Sequence, residues 1–148
     1  MNIQGLDEYE RKSMAKLHAE LIALADYAMN AEDKKLSVIG IFDKVFVKAL
    51  PSHHPRMSFV VTVAGEPRLR EEMKMKVLSP SKKEAFTADV NVVLGENGKA
   101  NLISNFEGFP FAESGTYTFL LEKSGKEVAS YNLDVIQVKE DEGTRVAN

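Results

Sequence analysis

Strict alternation of apolar and polar positions is clearest in the stretch from Arg68 to Leu78. There Leu69, Met73, Met75 and Val77 fall on one parity, and Arg70, Glu72, Lys74 and Lys76 on the other. That period of two predicts a strand with one wet face, and only Glu71 breaks it, as a strand end would allow. The next segment repeats the pattern, with Phe86, Ala88, Val90, Val92 and Leu94 facing one way and Asp89 and Asn91 the other. Further on, Tyr117, Phe119 and Leu121 alternate with Thr116, Thr118 and Leu120; Lys123-Ser124-Gly125-Lys126 closes a hairpin, and Leu133, Val135 and Val138 continue the return strand. Residues 36–50 are rich in Val, Ile and Phe, with Gly40 marking a bulge or close backbone approach, and residues 57–64 are apolar on both parities. The breaks between them are turn-like: residues 51–56 with two prolines, 65–67, 79–83, and 95–98, where Asn97-Gly98 reads as a hairpin turn. About eight antiparallel strands at this spacing predict a mainly β fold, an all-β sandwich or barrel.

The amino-terminal third supports two readings. Asp7 and Glu10 stand at capping-box spacing, and Met14, Leu17, Leu21, Leu24 and Ala28 recur at three and four, which predicts an amphipathic helix to about Met29. The competing reading ends the helix near Ala19 and begins a strand there.

Composition narrows the classes. The chain has 148 residues, enough for one domain with a sizeable core. Its net charge of −3 lacks the basic footprint of a nucleic-acid binder, so no nucleic-acid partner is expected. The chain has no cysteine, hence no disulfide and no thiolate chemistry, which suits a cytoplasmic protein. No signal-peptide pattern and no apolar run of about 20 residues is present, so no membrane partner is expected.

Two resemblances add to this. Glu113-Ser114-Gly115-Thr116-Tyr117-Thr118-Phe119 resembles the tyrosine corner of immunoglobulin-like domains, with Phe119 where the second Cys would stand. The resemblance implies an immunoglobulin-like β-sandwich, with a short helix ahead of it if the amino-terminal periodicity holds. Over roughly Glu20 to Val138 the chain also resembles a family of small, uncharacterised bacterial domains. The matching pieces are Ala25-Asp26-Tyr27-Ala28, Lys35 to Asp43, Leu50-Pro51, His54-Pro55-Arg56-Met57 and Gly115 to Phe119. The resemblance implies a sandwich in which Leu21 to Met29 is a strand paired with Leu36 to Lys48, and it implies no activity. With it, the chain divides into a helical extension over 1–19, a β-sandwich domain over 20–138 and a flexible tail over 139–148.

Candidate chemistry is sparse. His53 and His54 on a loop could ligate a metal with Asp43 or Asp26, although no motif sets that spacing and a solvated loop is the commoner outcome. Arg56 is expected to pin its loop to Asp43 or Asp26 by an ion pair. Tyr117 is expected to anchor main chain. Phe106, Phe109 and Phe111 either form a contact patch or, more commonly, fill the core. No nucleophile elbow or phosphate loop occurs, so no catalytic residue and no cofactor are expected. The reading reached is a non-enzymatic interaction or structural module, as a homo-oligomer or with an unknown protein partner. The alternative is a small-molecule or carbohydrate binder, and after it a metal-dependent enzyme using His53 and His54.

Overall fold

The computed structural model describes residues 16–139. Nine strands follow in order: β1 (His18–Asn30), β2 (Leu36–Ile41), β3 (Lys44–Val47), β4 (Ser52–Ala64), β5 (Arg70–Leu78), β6 (Glu84–Val93), β7 (Lys99–Phe111), β8 (Gly115–Lys123) and β9 (Lys126–Gln137). They form a four-stranded sheet, β2-β1-β4-β7, and a five-stranded sheet, β3-β9-β8-β5-β6. The fold is a mainly β, two-sheet sandwich. The run β9-β8-β5-β6 has the G-F-C-C′ order of immunoglobulin sandwiches, with the tyrosine corner on the strand equivalent to F.

No helix occurs among the described residues. Most of the expected helical extension lies outside them, as does nearly all of the expected tail; His18 and Ala19, the last residues of the extension, are already strand. The 3–4 spacing of leucines is therefore misleading in β1. There Ala23, Leu24 and Ala25 are consecutive buried residues in a central strand, with Ala23 opposite Val60 and Leu24 opposite Phe59. A strand buried on both faces has no reason to show a period of two, so tertiary pairing overrides helix propensity.

Two further expectations are corrected. Residues 36–48 are not one strand, because the chain leaves the first sheet at Phe42-Asp43 and β3 runs parallel to β9, from Lys44 beside Asp134 to Val47 beside Gln137. Among the described residues the sandwich thus has nine strands and one parallel pair. Residues 51–56 are not a loop, since β4 begins at Ser52 and contains Pro55. Pairing of β4 with β1 ends at Ser58, so the missing amide of Pro55 falls where β1 no longer flanks β4.

The Asn97-Gly98 turn forms, with Gly98 at φ +74° and its amide on the Gly95 carbonyl at 3.0 Å. It does not make a hairpin, because β6 and β7 belong to different sheets. The β8–β9 hairpin does form, with positive φ at Ser124 and Gly125, as a tight turn matched to twisted strands requires.

Inward parities build the core. Met73, Met75 and Val77 of β5 are buried, while on the wet face Lys74 pairs with Asp89 at 3.2 Å and Lys76 with Glu122 at 3.0 Å. Glu71, the violator of the alternation, lies at the strand start and pairs with Lys123 at 3.1 Å. Phe106, Phe109 and Phe111 all enter the core, although 106 and 109 are on opposite parities. Gly108 between them, at φ +63°, resets the alternation. The Phe59 and Phe119 rings meet across the two sheets with centroids 5.4 Å apart, an aromatic contact on the residue that replaces the usual second cysteine.

Candidate functional site

The chain turns from one sheet to the other at Phe42, and most of the chemistry-bearing residues named from the sequence gather around that crossover. The Phe42 amide donates to the Leu24 carbonyl at 2.9 Å, and its carbonyl accepts the Tyr131 hydroxyl at 2.8 Å. Its ring lies 5.6 Å from the imidazole of His54, whose other neighbour is Phe111 at 6.2 Å. Phe42 is thus held at both main-chain polar groups and at the ring.

His53 and His54 are consecutive residues of β4, so their side chains leave on opposite sides. His53 is exposed, whereas His54 is half-buried between the two phenyl rings. Burial lowers the His54 pKa below its ordinary value; Asp26 nearby and a backbone hydrogen bond with Arg56 act in the other direction. Among the described residues no three His, Asp or Glu side chains come together as a metal site.

Asp26 is exposed and packs on Gly40, whose φ is +72°. A Cβ at residue 40 would overlap the Asp26 carboxyl group. This is the close backbone approach that an isolated Gly in a strand signals. Asp43 accepts the Asp134 amide through its carbonyl oxygen at 2.9 Å. Its charge, after burial, helps to raise the Tyr131 pKa, while a hydrogen bond with the Leu24 backbone opposes the rise. Arg56 makes no ion pair with Asp26 or Asp43; its guanidinium lies 5.1 Å from the centroid of the Tyr27 ring, within cation–π range. The Arg–Asp pin expected from the sequence is replaced by an aromatic one. Tyr117 is buried, and its hydroxyl bonds the Glu113 backbone.

Sequence reading missed the most unusual feature of this region. Ile39 and Ile41 of β2 and Phe46 of β3 are 60%, 62% and 63% exposed. Both strands lie at sheet edges, on either side of the Phe42 crossover. The alternating signal there was obscured by Gly40 and by the unforeseen break between β2 and β3.

Elsewhere, a groove of about 810 Å³ is lined by Asn30, Lys34, Thr62, Asn97, Lys99 and Asn101, among others, with no aromatic ring in its wall. Several of its polar groups already bond one another: Thr62 donates to Asn101 at 2.7 Å, and Asn101 to Asn30 at 3.3 Å.

Fold and site together define a cysteine-free, immunoglobulin-type β-sandwich without a recognisable catalytic constellation among its described residues. Over residues 20–136 the chain matches, and belongs to, the family of unknown function DUF6941. No curated protein matches it. Among solved structures, an immunoglobulin-like protein from Pseudomonas aeruginosa is similar, with 14% identity and a TM-score of 0.48, over 83% of this chain and 98% of that one. A β-glucosidase from Listeria innocua matches with 9% identity and a TM-score of 0.47, over 84% of this chain but only 16% of the enzyme. The CARDB domain of a Pyrococcus furiosus protein, solved in complex with di-metal ions, matches with 13% identity and a TM-score of 0.40, over 82% of this chain and 96% of that domain.

Proposed function

We propose that this chain is a non-enzymatic protein-interaction or structural module that associates with further copies of itself. The observation that carries this reading is the exposure of Ile39, Ile41 and Phe46 on two consecutive edge strands. Single exposed apolar residues are ordinary on a protein surface; three large ones beside unpaired strand edges mark a contact surface. The small-molecule or carbohydrate reading finds less support, because the open polar groove has no aromatic platform and its amides are engaged with each other.

Light scattering at micromolar concentration tests the reading. The native protein is expected to run as a discrete dimer or larger species, and Ile39→Lys or Ile41→Lys to shift it towards monomer without loss of folding. A strict monomer across the concentration range would overturn it.

A further inference from the structure

Among the described residues the sandwich has four sheet edges: β2 and β7 in one sheet, β3 and β6 in the other. Strand edges offer unpaired N–H and C=O groups, and soluble proteins usually block them with charge, proline or irregularity. Three of these edges follow that practice. Strand β7 carries Lys99, Glu107 and Pro110; β6 carries Glu84 and Asp89; β3 is four residues long and opens with Lys44. Strand β2, Leu-Ser-Val-Ile-Gly-Ile from Leu36 to Ile41, has neither a charged residue nor a proline, and its one irregularity, Gly40 at φ +72°, leaves the register with β1 unbroken.

We propose that β2 pairs antiparallel with β2 of a second copy about a two-fold axis, which joins the two four-stranded sheets into one of eight strands. The inference rests on the self-association reading and specifies its geometry. Three observations choose the second copy as occupant. An uncharged strand set against itself brings no like charges together, whereas β2 against β6, β7 or β3 would place an uncompensated charge or a proline in the new ladder. A symmetric β2–β2 contact closes on itself and leaves only blocked edges outward, so it ends at a dimer rather than a fibre. In the same pairing Ile39 and Ile41 of the two copies become neighbours, which covers two of the three most exposed large apolar side chains. The Phe42 pin, with its bonds to Leu24 and Tyr131, fixes the end of β2 and so pre-forms the edge.

The absence of cysteine allows a direct test by single-site spin labels at Lys35→Cys, Ser37→Cys and Glu107→Cys, all at exposed positions. With the axis near the middle of β2, each residue step away from it lengthens the distance between copies by about 6.6 Å, twice the rise per residue. The Ser37 pair is therefore expected to be the closest and the Lys35 pair about 13 Å further apart along the strand direction. The Glu107 labels, on the far edges of the joined sheet, are expected about 34 Å apart, seven strand spacings. A dimer whose Ser37 labels are remote, or whose three pairs do not follow this order, overturns the β2 pairing and leaves self-association standing. Monomeric protein at all labelled sites and in the unlabelled chain overturns both.

Discussion

The Tyr117 hydroxyl closes a small ring with Glu113, donating to its carbonyl at 3.1 Å and accepting its amide at 3.3 Å. The ring of Tyr117 is meanwhile buried and lies edge-on to Phe111, with centroids 5.1 Å apart. One side chain thus ties the loop before β8 to the core, by hydrogen bonds at its tip and by packing along its body. The phenol is fully occupied by structure.

Replacing Tyr117 by Phe keeps the packing and leaves the part-buried Glu113 backbone groups short of a partner. The expected loss is about 1–2 kcal/mol of folding stability, read by urea denaturation with an unchanged m-value. No change in midpoint would show that the corner bonds contribute nothing.

Gly40 meets two constraints at once, a φ of +72° and the Asp26 carboxyl group where a Cβ would sit. Gly40→Ala is expected to cost more than the roughly 1–2 kcal/mol of the left-handed conformation alone. Gly125, at φ +78° with no atom within 4 Å of its would-be Cβ, supplies the control for the backbone cost. Adding Asp26→Ala should recover part of the Gly40→Ala loss and none of a Gly125→Ala loss. Equal losses at the two glycines would remove the steric account.

His54 makes stability pH-dependent in a defined direction. Burial lowers its folded pKa from 6.5, against the pull of Asp26 and of the Arg56 backbone bond. As pH falls through 6.5 the unfolded chain takes up this proton before the folded one does, so stability declines until the folded pKa is passed. Above 6.5 both states are neutral and the contribution vanishes. Denaturation midpoints measured between roughly pH 5 and pH 8 should therefore fall on the acid side, and His54→Phe should flatten that part of the profile. Asp26→Asn, which removes the opposing charge, should steepen it. A profile that is the same with and without His54 would exclude this residue as the source.

Much of the architecture was legible in the chain. Strands β5, β6, β8 and β9 each have one wet face, and a half-buried strand prints its period of two directly on the sequence. The Ser124-Gly125 turn and the tyrosine corner were equally readable, because both depend on contacts a few residues apart. The pairing of β1 with β2 came from the resemblance rather than from periodicity. Asp26, Asp43 and His54 were singled out as candidate metal ligands, and they lie around the Phe42 crossover without coming together as a metal site among the described residues. Tyr131, whose hydroxyl holds Phe42 across 89 positions of sequence, gave no local signal at all.

By itself, then, the sequence determined which residues turn, which alternate and which carry no reactive chemistry, since those properties are set by short-range sterics and side-chain type. Three matters were decided only by the tertiary structure. One is the choice between the two readings of residues 18–30, which are extended despite helical spacing because β1 lies between β2 and β4 and its strand pairing outweighs propensity. Another is that the Asn97-Gly98 turn leads into the opposite sheet, because β7 finds its partner in β4. The last is that β2, alone among the four edges formed by the described residues, carries neither charge nor proline. A strand becomes an edge only through the strands that do not pair with it, and no local pattern records that.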